Sequence, residues 1–99
     1  MTHEVFEGIV NQQINHCKDI LIVKAREYAT EDRLHNFKTA AVLQGCTVKQ
    51  ALAGMMAKHT VSVYDMVQSG KKYPQELWNE KITDSLNYLL LLTAAVVEG

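Results

Sequence analysis

The chain has 99 residues, of which 47% are hydrophobic, and its 10 Lys and Arg against 11 Asp and Glu leave a formal net charge of −1. This length is typical of one domain, so we expect a single helical domain over residues 1–99 that folds without disulfide or metal. The balanced charge provides no global positive field for a phosphate backbone, which argues against nucleic acid as the main partner.

The cysteines and the apolar runs bear on the compartment. Cys17 and Cys46 show no CxxC or Cys/His ligand spacing, which favours free thiols in a reducing cytosol over a disulfide framework or a zinc site. The N-terminus has no basic n-region, and the longest apolar run, 89–97, is interrupted by Thr93. That run is far shorter than the ~20 residues of a membrane-spanning helix. We therefore expect a cytoplasmic protein, in a bacterium or a phage-infected host, with no membrane partner.

The first predicted helix spans 2–28, where apolar residues recur at three- and four-residue steps. Side-chain oxygens of Thr30 and Asp32 can then cap a second helix over 33–44. Gly45 follows that helix, at the position where a left-handed residue commonly ends one.

A capping-box pattern, Thr47 with Gln50, starts a third predicted helix over 47–67, which Gly70 terminates. Pro74 is suited to be the first residue of a fourth helix over 74–97. No strand-like alternation is sustained along the chain. The expected fold is therefore all-α, an antiparallel four-helix bundle that oligomerises.

Carboxylates interrupt the apolar faces of the last two predicted helices. Glu80 and Asp84 lie one turn apart on the fourth helix, and carboxylates on adjacent turns suit a hard cation such as Mg²⁺. If the third and fourth helices are antiparallel neighbours, Asp65 lies at about the same height along the bundle axis as Glu80. Asp65, Glu80 and Asp84 are thus the candidate metal ligands, with Lys58 near enough to offset part of their charge. The alternative is a solvated face, because such acidic pairs are common on surface helices.

Two other polar features have alternative interpretations. His59 lies on the apolar stripe of the third helix, which favours a core or interface histidine over a ligand or base. The connection around residues 27–37 is dense in polar side chains. Loops between helices often carry binding groups, although helix capping and ordinary solvation explain the same composition.

Four short segments occur in a recognisable order. They are Lys24-Ala25-Arg26-Glu27-Tyr28, Asn36-Phe37 followed by Ala40-Ala41, Met55-Met56-Ala57-Lys58, and Asp84-Ser85-Leu86-Asn87-Tyr88-Leu89. The pattern, which covers roughly 24–96, resembles small phage and bacterial helical domains of unknown function. These domains are grouped with MazG-like all-α nucleotide pyrophosphohydrolases and a nucleotide-modification-associated family.

The resemblance implies a helical bundle that often oligomerises. In the enzymes it also implies Mg²⁺ held by helix carboxylates against a nucleoside triphosphate. Asp84 and Glu80 match the acidic part of the enzymes' last helix. Tyr28, Asn36 and Lys58 match the families of unknown function and are the candidate substrate-binding residues. The enzymes' first acidic motif, two glutamates three apart, is missing from the first helix here.

Besides a small-molecule binder without turnover, two functions stay open. The favoured one is a self-associating or partner-binding module, because the apolar residues of 89–97 surround most of their helix and need burial. The alternative is a MazG-like Mg²⁺-dependent nucleoside triphosphate pyrophosphohydrolase or nucleotide binder. In that alternative the three carboxylates bind the metal, while Lys58 and Asn36 contact the phosphates or the base of the nucleotide.

Overall fold

The computed structural model describes the backbone of residues 1–28 and 31–99, and the side chains of all of these except 27 and 28. The described residues form helices and no strand, which confirms the all-α class. The helical segments are α1 (His3–Lys18), a π-helical segment (Asp19–Lys24), α2 (Ala25–Tyr28), α3 (His35–Gln44), α4 (Val48–Ser69) and α5 (Gln75–Glu98). Because the first three follow one another without a break, they make one long helix.

The start of the first long helix is set by Thr2. Its Oγ1 accepts a hydrogen bond of 3.2 Å from the backbone N–H of Val5, which satisfies one of the free donors of the first turn. The π-helical segment differs from the regular α-helix that the periodicity predicted. A π turn holds more residues than an α turn, so the apolar residues beyond Lys18 face a different direction from the one that an unbroken α-helix would give them.

The prediction that α3 begins at residue 33 was wrong by two residues. Asp32 forms a turn ahead of the helix, because its Oδ1 accepts from the N–H of Leu34 at 3.0 Å and its carbonyl accepts from the N–H of His35 at 3.1 Å. Leu34 is therefore the N-cap residue. Thr30, the other predicted cap, lies outside the described residues. Gly45 ends the helix at φ 66°, as expected.

The capping box at the start of α4 is confirmed. Thr47 Oγ1 accepts from the N–H of Gln50 at 3.1 Å, and Gln50 Oε1 accepts from the N–H of Thr47 at 2.9 Å. The helix ends at Ser69, two residues later than predicted, and Gly70 is its C-cap, with φ 68°. Pro74 is the N-cap residue of α5 rather than its first helical residue, because its ψ of 146° is extended and its carbonyl accepts the first bonds of the helix.

The hydrophobic core lies between α3, α4 and α5. Its buried members are Leu34, Phe37, Leu52 and Ala95. Five half-buried side chains pack around them: Val48, Met55, Tyr88, Leu91 and Leu92. The first long helix contacts α5 instead, and Cys17 is the buried residue of α1. Both cysteines are free thiols, as predicted.

Large apolar side chains remain exposed on each of the four helices. Those with more than half of their surface accessible are Val5, Phe6, Val23, Val42, Leu43, Val61, Tyr64, Val67, Leu89, Val96 and Val97. Despite this surface, no helix in the described part of the chain is long and apolar enough to cross a bilayer.

Candidate functional site

An open groove of about 910 Å³ runs between α1 and α5. The residues that line it from the first long helix are Ile9, Gln12, Gln13, Asn15, His16, Asp19 and Ile20, and those from α5 are Gln75, Glu76, Asn79, Glu80 and Asp84. The α5 wall of the groove is thus the first three turns of that helix, and its α1 wall continues into the π-helical segment.

A partly buried polar contact holds the two walls together. Gln13 Nε2 donates to Thr83 Oγ1 at 2.7 Å and lies 3.6 Å from Cys17 Sγ. Thr83 is completely buried, and a buried hydroxyl without a partner costs free energy, so this bond favours α1 lying on α5 at this height.

The groove is acidic. Its described lining includes four carboxylates, those of Asp19, Glu76, Glu80 and Asp84, one imidazole, that of His16, and no Lys or Arg. Lys24 lies 3.8 Å from Asp19, but both side chains are about half exposed, so solvent screens this pair. Clustered carboxylates attract cations and repel phosphate groups unless a cation intervenes.

The structure brings two of the three predicted metal ligands into this groove. Glu80 and Asp84 both line it, whereas Asp65 lies exposed on α4 and is absent from the lining. Within the described residues, no three His, Cys, Asp or Glu side chains are placed to hold one metal ion. The metal site of the sequence analysis therefore stays a prediction.

The three predicted substrate-binding residues are dispersed over three helices. Asn36 is exposed in the first turn of α3, and Lys58 is exposed on α4. Neither lines the groove. The backbone of Tyr28 ends α2, and its side chain lies outside the described residues.

Asp84 also faces a histidine across the α4–α5 contact. Its Oδ2 lies 3.8 Å from Nδ1 of His59, and the His59 ring stacks on Tyr88 with a centroid distance of 4.7 Å. Tyr88 in turn meets the core residue Phe37 edge to face at 6.2 Å. His59 is therefore half buried between two helices, as expected for an interface histidine.

Sequence reasoning missed the residues that position the groove. Gln13 carried a usable signal, since it interrupts the apolar stripe of α1 one turn before Cys17. The sequence signal at Thr83 was weaker, because threonine is common on either face of a helix. Asp19 and Glu76 could not have been found, because only the crossing of two helices distant in sequence brings them to one groove.

Comparison with known proteins finds no relative of this chain. No protein-family model, no curated protein and no solved structure matches it significantly.

Proposed function

We propose that this protein is a helical module that associates with itself. The observation that carries the proposal is the area it exposes as a single chain, 7422 Å². Monomeric proteins of 11.2 kDa expose about 5,700 Å² by their usual size scaling. The excess of about 1,700 Å² falls within the range that one subunit of an obligate homodimer buries.

The dimensions of the chain support the same conclusion. Its radius of gyration is 15.4 Å, against about 12.6 Å for a compact domain of this length, and its extents are 45 × 29 × 23 Å. The first long helix rests on α5, away from the core between α3, α4 and α5. A second copy packed against the exposed faces would supply the burial that the single chain lacks.

The arrangement that we propose is a bundle of antiparallel neighbours completed by a second chain. Short connections join α3 to α4, over residues 45–47, and α4 to α5, over residues 70–74. Helices joined by such short connections usually run antiparallel. Part of the apolar surface that each chain exposes would then form a core between the two copies.

Sedimentation equilibrium tests the proposal. We expect a mass that is a multiple of the 11.2 kDa of one chain, that falls on dilution and that persists at high salt, because apolar burial is not screened. A monomer mass throughout the micromolar range would overturn the proposal. Association that disappears at high salt would show a charged interface instead of an apolar one.

A second candidate is Mg²⁺-dependent binding or hydrolysis of a nucleoside triphosphate. The observation that favours it is that Glu80 and Asp84 line one groove. Mg²⁺ often binds one or two protein carboxylates and takes its remaining ligands from water and substrate phosphates. These two residues would hold the ion, whose charge would offset the repulsion between the acidic groove and the phosphates.

Thermal unfolding with nucleoside triphosphates, with and without Mg²⁺, tests the second candidate. A ligand at 100 times its dissociation constant stabilises the folded state by about 2.7 kcal/mol. We expect Asp84→Asn to abolish a Mg²⁺-dependent shift and Asp65→Asn, outside the groove, to retain it. Absence of any such shift in the wild-type protein would reject this candidate and leave the self-association proposal unaffected.

A further inference from the structure

A second apolar face runs along α5 from residue 82 to residue 96. It consists of Ile82, Leu86, Leu89, Thr93 and Val96, which we call the α5 stripe. The steps between these residues alternate between four and three, which is the heptad spacing of a helix that pairs with another helix. At 100° per residue the five side chains fall within about 80° of one another.

The α5 stripe points away from the core of its own chain. Its large apolar residues are 37% exposed at Ile82 and Leu86, 52% at Leu89 and 57% at Val96. Of the buried residues of the same helix, Asn87 and Ala95 lie about 140° from the centre of the stripe and Thr83 lies about 100° from it. The stripe is therefore surface that folding of one chain leaves uncovered.

The surroundings of the stripe are apolar as well. No charged residue occurs between Ser85 and Val97, whereas the solvent face of a surface helix is normally charged. Leu90 and Val97 flank the stripe and are 50% and 83% exposed. The one polar member, Thr93, donates its hydroxyl to the carbonyl of Leu89 at 3.1 Å, so its burial would leave no hydroxyl donor unpaired.

We infer that the α5 stripe packs against the α5 stripe of a second copy of this chain. The inference rests on the proposed self-association and names the surface that carries it. A two-fold dimer brings the same patch of both subunits together, and an uncharged heptad stripe is complementary to itself. The whole chain exposes about 1,700 Å² more than its size predicts, which is enough for a homodimer interface of which the stripe is one part.

The first experiment compares two substitutions by sedimentation equilibrium. Leu89→Asp places a charge in the middle of the stripe, and we expect the dissociation constant to rise at least tenfold, because a buried carboxylate without a partner is strongly unfavourable. Val42→Asp is the matched control, since Val42 lies on α3 and is 82% exposed. We expect its dissociation constant to stay within about twofold of the wild-type value. Far-UV circular dichroism reports whether each variant is folded.

The second experiment uses a substitution that preserves apolar packing. Leu89 lies at the middle of the stripe. Whether the two α5 helices of a two-fold dimer run parallel or antiparallel, Leu89 of one chain therefore lies near Leu89 of the other. In a Cys46→Ser background, which leaves Cys17 buried, we expect a short bis-maleimide to cross-link Leu89→Cys into dimers. Val42→Cys should remain uncross-linked at the same concentration.

The outcomes separate the two proposals. A monomeric wild-type protein would reject self-association and this inference together. A wild-type oligomer that survives Leu89→Asp, and whose Leu89→Cys variant does not cross-link, would overturn the inference alone. If Leu89→Asp fails to fold, the cross-linking result decides. Dissociation by Val42→Asp without dissociation by Leu89→Asp would place the interface on α3 and also overturn the inference.

Discussion

Gln13 and Thr83 are joined by a hydrogen bond of 2.7 Å between Nε2 and Oγ1, which links α1 to α5 across 70 positions of sequence. Thr83 is completely buried, so water does not reach its hydroxyl. The first long helix adds no buried residue to the main core cluster within the described part of the chain. This contact therefore helps to fix where that helix lies on α5.

Replacing Thr83 with valine should loosen the first long helix. The two side chains have nearly the same shape, but valine leaves the Gln13 amide without this acceptor, and we expect a loss of about 1–2 kcal/mol in the free energy of unfolding. Urea denaturation measures the loss, and faster hydrogen exchange in α1 would locate it. Thr60→Val is the control, because Thr60 is exposed on α4 and its hydroxyl bonds only locally, to the carbonyl of Met56. Equal losses in both variants would contradict the role assigned to the Gln13 contact.

Two glycines should respond in opposite directions to substitution by alanine. Gly45 has φ 66° and a Cβ there would meet open space, so the strain comes from the backbone alone. We expect Gly45→Ala to lower the free energy of unfolding by about 1 kcal/mol. Gly54 lies inside α4, also in open space, so Gly54→Ala should raise it by up to ~1 kcal/mol through helix propensity. Chemical denaturation of both variants at one protein concentration tests the pair. If both substitutions change the free energy of unfolding in the same direction, either the left-handed backbone at Gly45 or the open space at Gly54 is contradicted.

Acid should remove a local stabilisation at the start of α3. The Lys38 ammonium, 2.6 Å from the carboxylate, and then the N–H of Leu34 hold the pKa of Asp32 below its ordinary value of 3.8. Because the folded-state pKa is the lower one, the stabilisation is present above the unfolded-state pKa and is lost as pH falls through the folded-state pKa.

Asp32→Asn isolates this charge, since an asparagine oxygen can still accept from the N–H of Leu34. We expect it to lower the urea midpoint at neutral pH and to approach the wild-type midpoint in acid. Asp65→Asn is the matched control, because Asp65 is exposed and makes no ion pair within the described part of the chain. A gap between Asp32→Asn and the wild type that stays constant from neutral pH into acid would contradict the predicted linkage.

The sequence alone determined the helical boundaries to within two residues, because the signals that set them are local. The capping box of Thr47 and Gln50 and the left-handed glycines, Gly45 and Gly70, involve residues at most a few positions apart. Such signals can be read from spacing and from the steric freedom of glycine. The start of α3 was misplaced by two residues because Asp32 has two local options, capping a helix or forming a turn.

Only the tertiary structure decided which residues of different helices lie close to one another. The groove joins Asp19 of the π-helical segment to Glu80 and Asp84 of α5, and it leaves Asp65 on another face. These relations depend on how two helices cross and on how far one slides along the other, and no local pattern encodes either quantity. The same is true of the uncovered α5 stripe: its heptad spacing is present in the sequence, but which face of α5 the chain buries follows from packing against α1 and α4.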